Sequence, residues 1–128
     1  MKCPNDQHAM SLADMELRDE VAGRSYVARV QGWRCSVCQE EAFEGADLHR
    51  FELGIVRDLA QHAEPSASAF RRMRRILGFS SSELAALVGV ALETVSRWEN
   101  GVRAVDALSF RVLGPVTGKL SLWPSLVG

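Results

Sequence analysis

Three cysteines carry the chemistry most readily read from this chain. Cys35-Ser36-Val37-Cys38 sets two thiols one short turn apart, and Cys3 lies about thirty residues earlier. Such a pair can present both sulfurs to one ion, and structural zinc takes four ligands tetrahedrally at roughly 2.0–2.3 Å. A second pair on a facing turn would read Cys-Pro-x-Cys, but the residues here are Cys3-Pro4-Asn5-Asp6. Three readings stay open. Asp6 can serve as an oxygen ligand beside Cys3, Cys35 and Cys38; His8, two residues on, can supply the fourth bond; or the site is degenerate and holds no metal. A C-x-x-C redox centre fits less well, because no thioredoxin-like βαβ pattern surrounds it. A zinc enzyme would need an open coordination position and a general base. Cys3, Cys35 and Cys38 with water, and Asp6 as base, meet that on paper. A ribbon of about forty residues offers no substrate pocket, so no enzymatic activity is expected.

The elements that must bring these ligands together are short. Ser25-Tyr26-Val27-Ala28-Arg29-Val30-Gln31 alternates, with Tyr26, Ala28 and Val30 on one face, and reads as a strand. Met10 and Leu12 begin a weaker, earlier one, and Gly23 suits the turn or bulge between them. A zinc-ribbon-like hairpin follows. So small a module cannot bury enough core alone, and a metal would supply the missing stability. After Cys38 a helix is expected from about Ala46 to Ala63, with Leu48, Phe51, Ile55, Val56 and Leu59 as its apolar stripe. His49 and His62 fall outside that stripe and read as surface residues.

The second half is helical. Phe70, Met73, Ile76 and Leu77 mark an amphipathic helix closed by Gly78. Arg71, Arg72, Arg74 and Arg75 cover its other faces and read as solvated at least as readily as functional. Ser80 and Glu83 form a capping box for the next helix, which stops at Gly89. A third helix runs from about Leu92 to Asn100 and ends at Gly101. A fourth apolar stretch, Ala107 to Leu113, is broken by Gly114-Pro115. Two short helices joined by a tight Gly-containing turn make a helix-turn-helix. The spacing sharpens this: Ala85 must be small where the third helix crosses, Gly89 meets the turn's need for positive φ, and Val90, Val95 and Trp98 pack back on the second helix.

Leu77-Gly78-Phe79-Ser80, Glu83-Leu84-Ala85 and Val95-Ser96-Arg97-Trp98-Glu99-Asn100-Gly101 resemble the Xre/Cro family of phage-repressor-like DNA-binding domains. Ser81 departs from the Gln frequent there. The resemblance implies that the third helix enters the major groove of double-stranded DNA. With Val95 and Trp98 inside, Leu92, Glu93, Ser96, Arg97 and Asn100 face outward. Arg97 is the expected base reader, because guanidinium matches guanine O6 and N7. Glu93, one turn earlier, accepts from cytosine N4 or, the favoured role, orients Arg97 as an i,i+4 pair. Leu92 can touch a thymine methyl. Ser81, Ser82, Asn100 and Arg103 are expected phosphate contacts. Repressors of this kind read pseudo-palindromes as dimers. The apolar tail from Leu120 to Val127 is expected to pack on its own domain or, preferably, across a homodimer interface.

Composition agrees with two modules. The 128 residues carry 15 basic and 16 acidic side chains, net −1. Residues 1–64 hold seven basic and twelve acidic, net −5; residues 65–128 hold eight and four, net +4. The switch falls at Glu64-Pro65-Ser66-Ala67-Ser68, which reads as a linker. The expected domains are therefore 1–64 and 65–128, and the basic one suits a polyanion. Apolar runs fall short of the roughly 18–20 residues a membrane helix needs. The N-terminal residues lack an apolar signal region, so a cytoplasmic protein with reduced thiols is expected.

A ribbon, a helix, a linker and an Xre/Cro domain in this order resemble the MqsA/YgiT family of antitoxins. Met1-Lys2-Cys3-Pro4, Trp33-Arg34-Cys35-Ser36-Val37-Cys38-Gln39-Glu40 and Val95-Ser96-Arg97-Trp98-Glu99-Asn100-Gly101 carry the likeness. It implies an α+β chain, a small N-terminal zinc-ribbon-like hairpin with a helix, linked to an all-α Xre/Cro helix-turn-helix domain. It also implies Zn2+ at the cysteine site, an N-terminal module that neutralises a ribonuclease toxin, and a C-terminal domain that dimerises and represses the toxin–antitoxin operon. The family's toxin is basic, and a −5 module would steer toward such a partner. The family reads bases with an Arg and, one turn earlier, an Asn. Arg97 matches the first and Glu93 replaces the second, so a different operator is expected. Asp6 stands where a thiol is usual, and Gln39 where a Gly is. The competing reading is a stand-alone Xre-family transcriptional regulator whose N-terminal module senses metal or redox state.

Overall fold

A computed structural model describes residues 2–5 and 7–121, with side chains as far as 117. Asp6 and the tail from Leu122, two of the expectations above, lie outside the described residues. The chain is α+β. Strands β1 (Met10–Val21), β2 (Arg24–Cys35) and β3 (Glu41–Phe43) precede helices α1 (Gly45–His62), α2 (Ala67–Leu77), α3 (Ser81–Val88), α4 (Leu92–Glu99), α5 (Ala107–Arg111) and α6 (Leu113–Ser121). Residues 1–19 with 25–51 form one compact unit, and 20–24 with 52–128 form another. No helix among the described residues is long and apolar enough to cross a membrane.

In the first unit the sheet order is β1-β2-β3. The hairpin turn is Ala22-Gly23, both at positive φ (53° and 78°), as a two-residue turn between twisted strands requires. Tyr26, Ala28 and Val30 are half-buried and alternate with exposed neighbours, as expected. The strands run well beyond the expected segments, and β3 adds a short strand where only a connection was foreseen. It pairs antiparallel with β2, Gly32 facing Phe43 and Arg34 facing Glu41. Gly32 permits this approach, because a Cβ there would stand 2.4 Å from the Ala42 carbonyl oxygen and 2.7 Å from the Met15 sulfur. Gly32→Ala should therefore destabilise this unit by about 1–3 kcal/mol, the usual cost of overpacking. Urea denaturation followed through Trp33 checks this, and an unchanged midpoint would count against the packing described.

The second unit is built on buried α1 and α2 residues. Ile55, Val56 and Leu59 are buried as expected, but Leu48 is largely exposed, and Leu53, off the expected stripe, is fully buried. The reason is a second strip: Leu53, Val56 and Ala60 recur at i, i+3 and i+7 beside Ile55 and Leu59. Phe70 and Phe110 are fully buried, and Phe70 meets Trp98 edge-on at 5.6 Å. Gly114-Pro115 does not break the last helical stretch. It sits in the first turn of α6, where a missing N–H leaves no hydrogen bond unmade. A Cβ on Gly114 would lie 3.0 Å from that of Ala60. Arg111 closes the end of α1, donating from Nη1 to the Ala60 carbonyl at 2.6 Å and from Nη2 to that of Ala63 at 3.4 Å.

Candidate nucleic-acid interface and metal centre

The α3-turn-α4 unit is assembled by local signals. Ser80 accepts from the Glu83 N–H at 3.1 Å and its own N–H donates to Glu83 Oε1 at 3.0 Å, a complete capping box. The Ser80 backbone N–H first, and then its side chain, hold the Glu83 carboxyl below the usual carboxylate range. Gly89 adopts φ 75°, and the Val90 N–H returns to the Ala85 carbonyl, so α3 stops where α4 must turn away. Gly101 does the same for α4 at φ 72°, with Val102 N–H to the Arg97 carbonyl at 2.9 Å. Leu84, Ala85, Val95 and Trp98 are buried.

One anchor was not foreseen. Glu99 is buried and takes both arms of Arg74, through Nε and, at 3.2 Å, through Nη2. Arg74 also donates to the Phe79 carbonyl at 3.0 Å, and Arg71 to the Glu99 carbonyl at 2.8 Å. The end of α4 is thereby tied to α2. Of the arginines read as solvated, Arg74 is a structural partner. Its signal was present in the sequence only as an acid beside a buried Trp. Glu99→Ala should cost about 3 kcal/mol, because it strands a mostly buried guanidinium. Thermal unfolding within a degree of the parent would refute that role.

The opposite face of α4 is open. Leu92 (48% exposed), Glu93, Ser96, Arg97 and Asn100 are all exposed. Asn100 Nδ2 donates to Ser96 Oγ at 3.3 Å, so these two side chains act together. Ser82 and Arg103 are exposed and Ser81 half-buried, beside the N-terminus of α3 and after the C-terminus of α4. The expected Glu93–Arg97 ion pair is not formed among the described residues: both side chains project separately into solvent. Arg97 is thus a cation on an exposed helix face.

The cysteine site is built from two turns that share a pair of backbone hydrogen bonds among the described residues. Cys3 N–H donates to the His8 carbonyl at 2.8 Å, and Gln7 N–H to the Cys3 carbonyl at 2.9 Å. Cys35 N–H donates to the Glu40 carbonyl at 2.8 Å, and Gln39 N–H to the Cys35 carbonyl at 3.0 Å. Gln7 and Gln39 both take positive φ, 63° and 64°. Each turn is flanked by an antiparallel pair, Lys2 with Ala9 and Arg34 with Glu41. The sulfurs of Cys3, Cys35 and Cys38 lie within 4.8 Å of one another, with Cys3 and Cys38 at 3.4 Å. Cys3 and Cys35 are fully buried and pack with Met10, Trp33 and Ala42. Three free thiols gathered on two matched turns fit a soft or borderline divalent ion.

Comparison with known proteins agrees for one part of the chain. Residues 70–110 match the model of the helix-turn-helix family. No curated protein matches the chain. Residues 70–110 are therefore a helix-turn-helix domain of the DNA-binding Xre type.

Proposed function

We propose that this chain is a DNA-binding antitoxin of a type II toxin–antitoxin system. Residues 65–128 bind a pseudo-palindromic operator as a homodimer and repress the chain's own operon in the cytoplasm. Residues 1–64 neutralise a basic, ribonuclease-type protein toxin. The observation that carries the DNA half is the exposed face of α4, with Arg97, Ser96, Asn100, Glu93 and Leu92, held on a buried anchor of Val95, Trp98 and Glu99. Ser81, Ser82 and Arg103 then take backbone phosphates. Leu108 on α5 and Val112, the residue that caps it, are exposed apolar residues that suit a dimer contact. Support for the toxin half is the net charge of −5 on residues 1–64 and the resemblance of the whole arrangement.

The metal centre is a structural one in this reading. Cys3, Cys35 and Cys38 hold zinc, and Asp6 is the fourth ligand: it follows Cys3 by the same interval at which Cys38 follows Cys35 in the matching turn. Zinc there supplies cross-linking stability that so small a core lacks. A stand-alone regulator with a metal- or thiol-sensing module is the second reading, favoured by the 3.4 Å approach of Cys3 and Cys38. Expression beside a small basic protein encoded next to this chain separates them. The antitoxin relieves growth arrest caused by that neighbour. A sensor leaves it unchanged and instead alters operator affinity when zinc is chelated.

A further inference from the structure

Helix α2 has four arginines and no acid in its eleven residues. Arg74 is neutralised by Glu99, whose backbone carbonyl also accepts from Arg71. The three arginines other than Arg74 do not spread around the helix. Ser68, Arg71, Arg72 and Arg75 follow the i, i+3, i+4, i+7 spacing of a single helix face. All four line one cavity of about 250 Å³, whose other wall is Glu20, Val21 and Ala22 at the hairpin tip. That tip is held in the same compact unit by Arg24, which grips Asp58 of α1 at 2.8 and 3.3 Å. Arg71 is half-buried, and its Nε has no acceptor among the described residues.

Three guanidinium groups line one small groove, and among its described lining residues Glu20 is the one carboxylate, so basic groups outnumber acidic ones there. Guanidinium forks match phosphate oxygens bidentately, and a hydroxyl in the first turn of a helix adds a donor where the backbone dipole already favours an anion. The depression is open to solvent and has room for a group the size of a phosphate or diphosphate. It falls below the roughly 300–1,000 Å³ typical of sites that enclose a drug-sized ligand.

We infer that the cavity formed by Ser68, Arg71, Arg72 and Arg75 against the hairpin tip is a binding site for a small phosphate-bearing anion. The site is separate from the exposed face of α4 in residues and in chemistry, and its occupancy neutralises the arginine face. Glu20 at the rim opposes the anion and sets its affinity.

Titration calorimetry of the full chain with inorganic pyrophosphate, at constant ionic strength, tests this. One saturable site per chain is expected. Arg75→Gln, at an exposed position that leaves the fold alone, should weaken binding about tenfold, the weight of one charge-assisted hydrogen bond. Glu20→Gln should strengthen it several-fold. Absence of saturable binding, equal affinity in Arg75→Gln, or weakening by Glu20→Gln would each overturn the site. A third arm adds a random-sequence duplex. If the duplex displaces pyrophosphate and Arg75→Gln weakens the duplex by the same factor, the arginines are DNA-backbone contacts and the small-anion site is rejected.

Discussion

Cys35→Ser should release the metal and unfold the N-terminal unit while leaving the helix-turn-helix intact. Cys35 is fully buried and packs in a cluster with Cys3, Met10, Trp33 and Ala42. Structural zinc contributes an apparent binding energy of about 10–16 kcal/mol at neutral pH in small domains, and none of it survives the loss of a thiolate that the remaining ligands cannot replace. Metal analysis should fall from one zinc per chain to near none, and the near-ultraviolet signal of Trp33 should collapse. Helical ellipticity should largely remain, because the signals that build α2 to α4 are local. A companion pair distinguishes the fourth ligand. Asp6→Cys should bind zinc more tightly, since a thiolate suits it better than a carboxylate, while His8→Ala should change nothing. A Cys35→Ser protein that keeps its metal and its fold would remove the metal centre from the account.

Arg97→Ala should remove much of the specific affinity for DNA without disturbing stability. The side chain is exposed and makes no ion pair among the described residues, so its removal leaves no buried group stranded. A bidentate contact to guanine is worth about 1–3 kcal/mol per base pair read, and a dimer on a pseudo-palindrome makes it twice. Specific affinity should therefore drop by roughly two orders of magnitude, while binding to unrelated duplex changes little. Glu93 sharpens the test. It stands unpaired on the same face, so Glu93→Gln should raise affinity for duplex in general and relax preference at one position. Had the two side chains formed an ion pair, Glu93→Gln would have released Arg97 and lowered specificity.

The helix-turn-helix was legible because its signals are local. Ser80 with Glu83, Gly89 and Gly101 each act through neighbours a few residues away, and Val95 and Trp98 repeat at helical spacing. Cys35 and Cys38 were legible as a pair for the same reason. What escaped is long-range. Nothing near Glu99 in sequence announces that Arg74, twenty-five positions earlier, will claim it. The arginine face of α2 looked scattered until Arg74 was assigned to Glu99. Strand β3 was missed because three residues carry no period, and only the space at Gly32 admits it. Gly114-Pro115 resembled a stop, yet the first turn of a helix tolerates both residues. The matched turns at Cys3 and Cys35 share only the Cys and the Gln four residues on, Gln7 and Gln39, so most of their likeness lies in backbone hydrogen bonds that composition does not display.

Selection of bound sequences from a random duplex library tests the central claim most directly. The account predicts enrichment of a pseudo-palindrome with half-sites about one helical turn, roughly 10 base pairs, apart centre to centre. It further predicts that Arg97→Ala erases preference at one guanine in each half-site while the rest of the motif survives weakly. Enrichment of no sequence by the parent chain, or a motif unchanged by Arg97→Ala, would contradict DNA reading through α4.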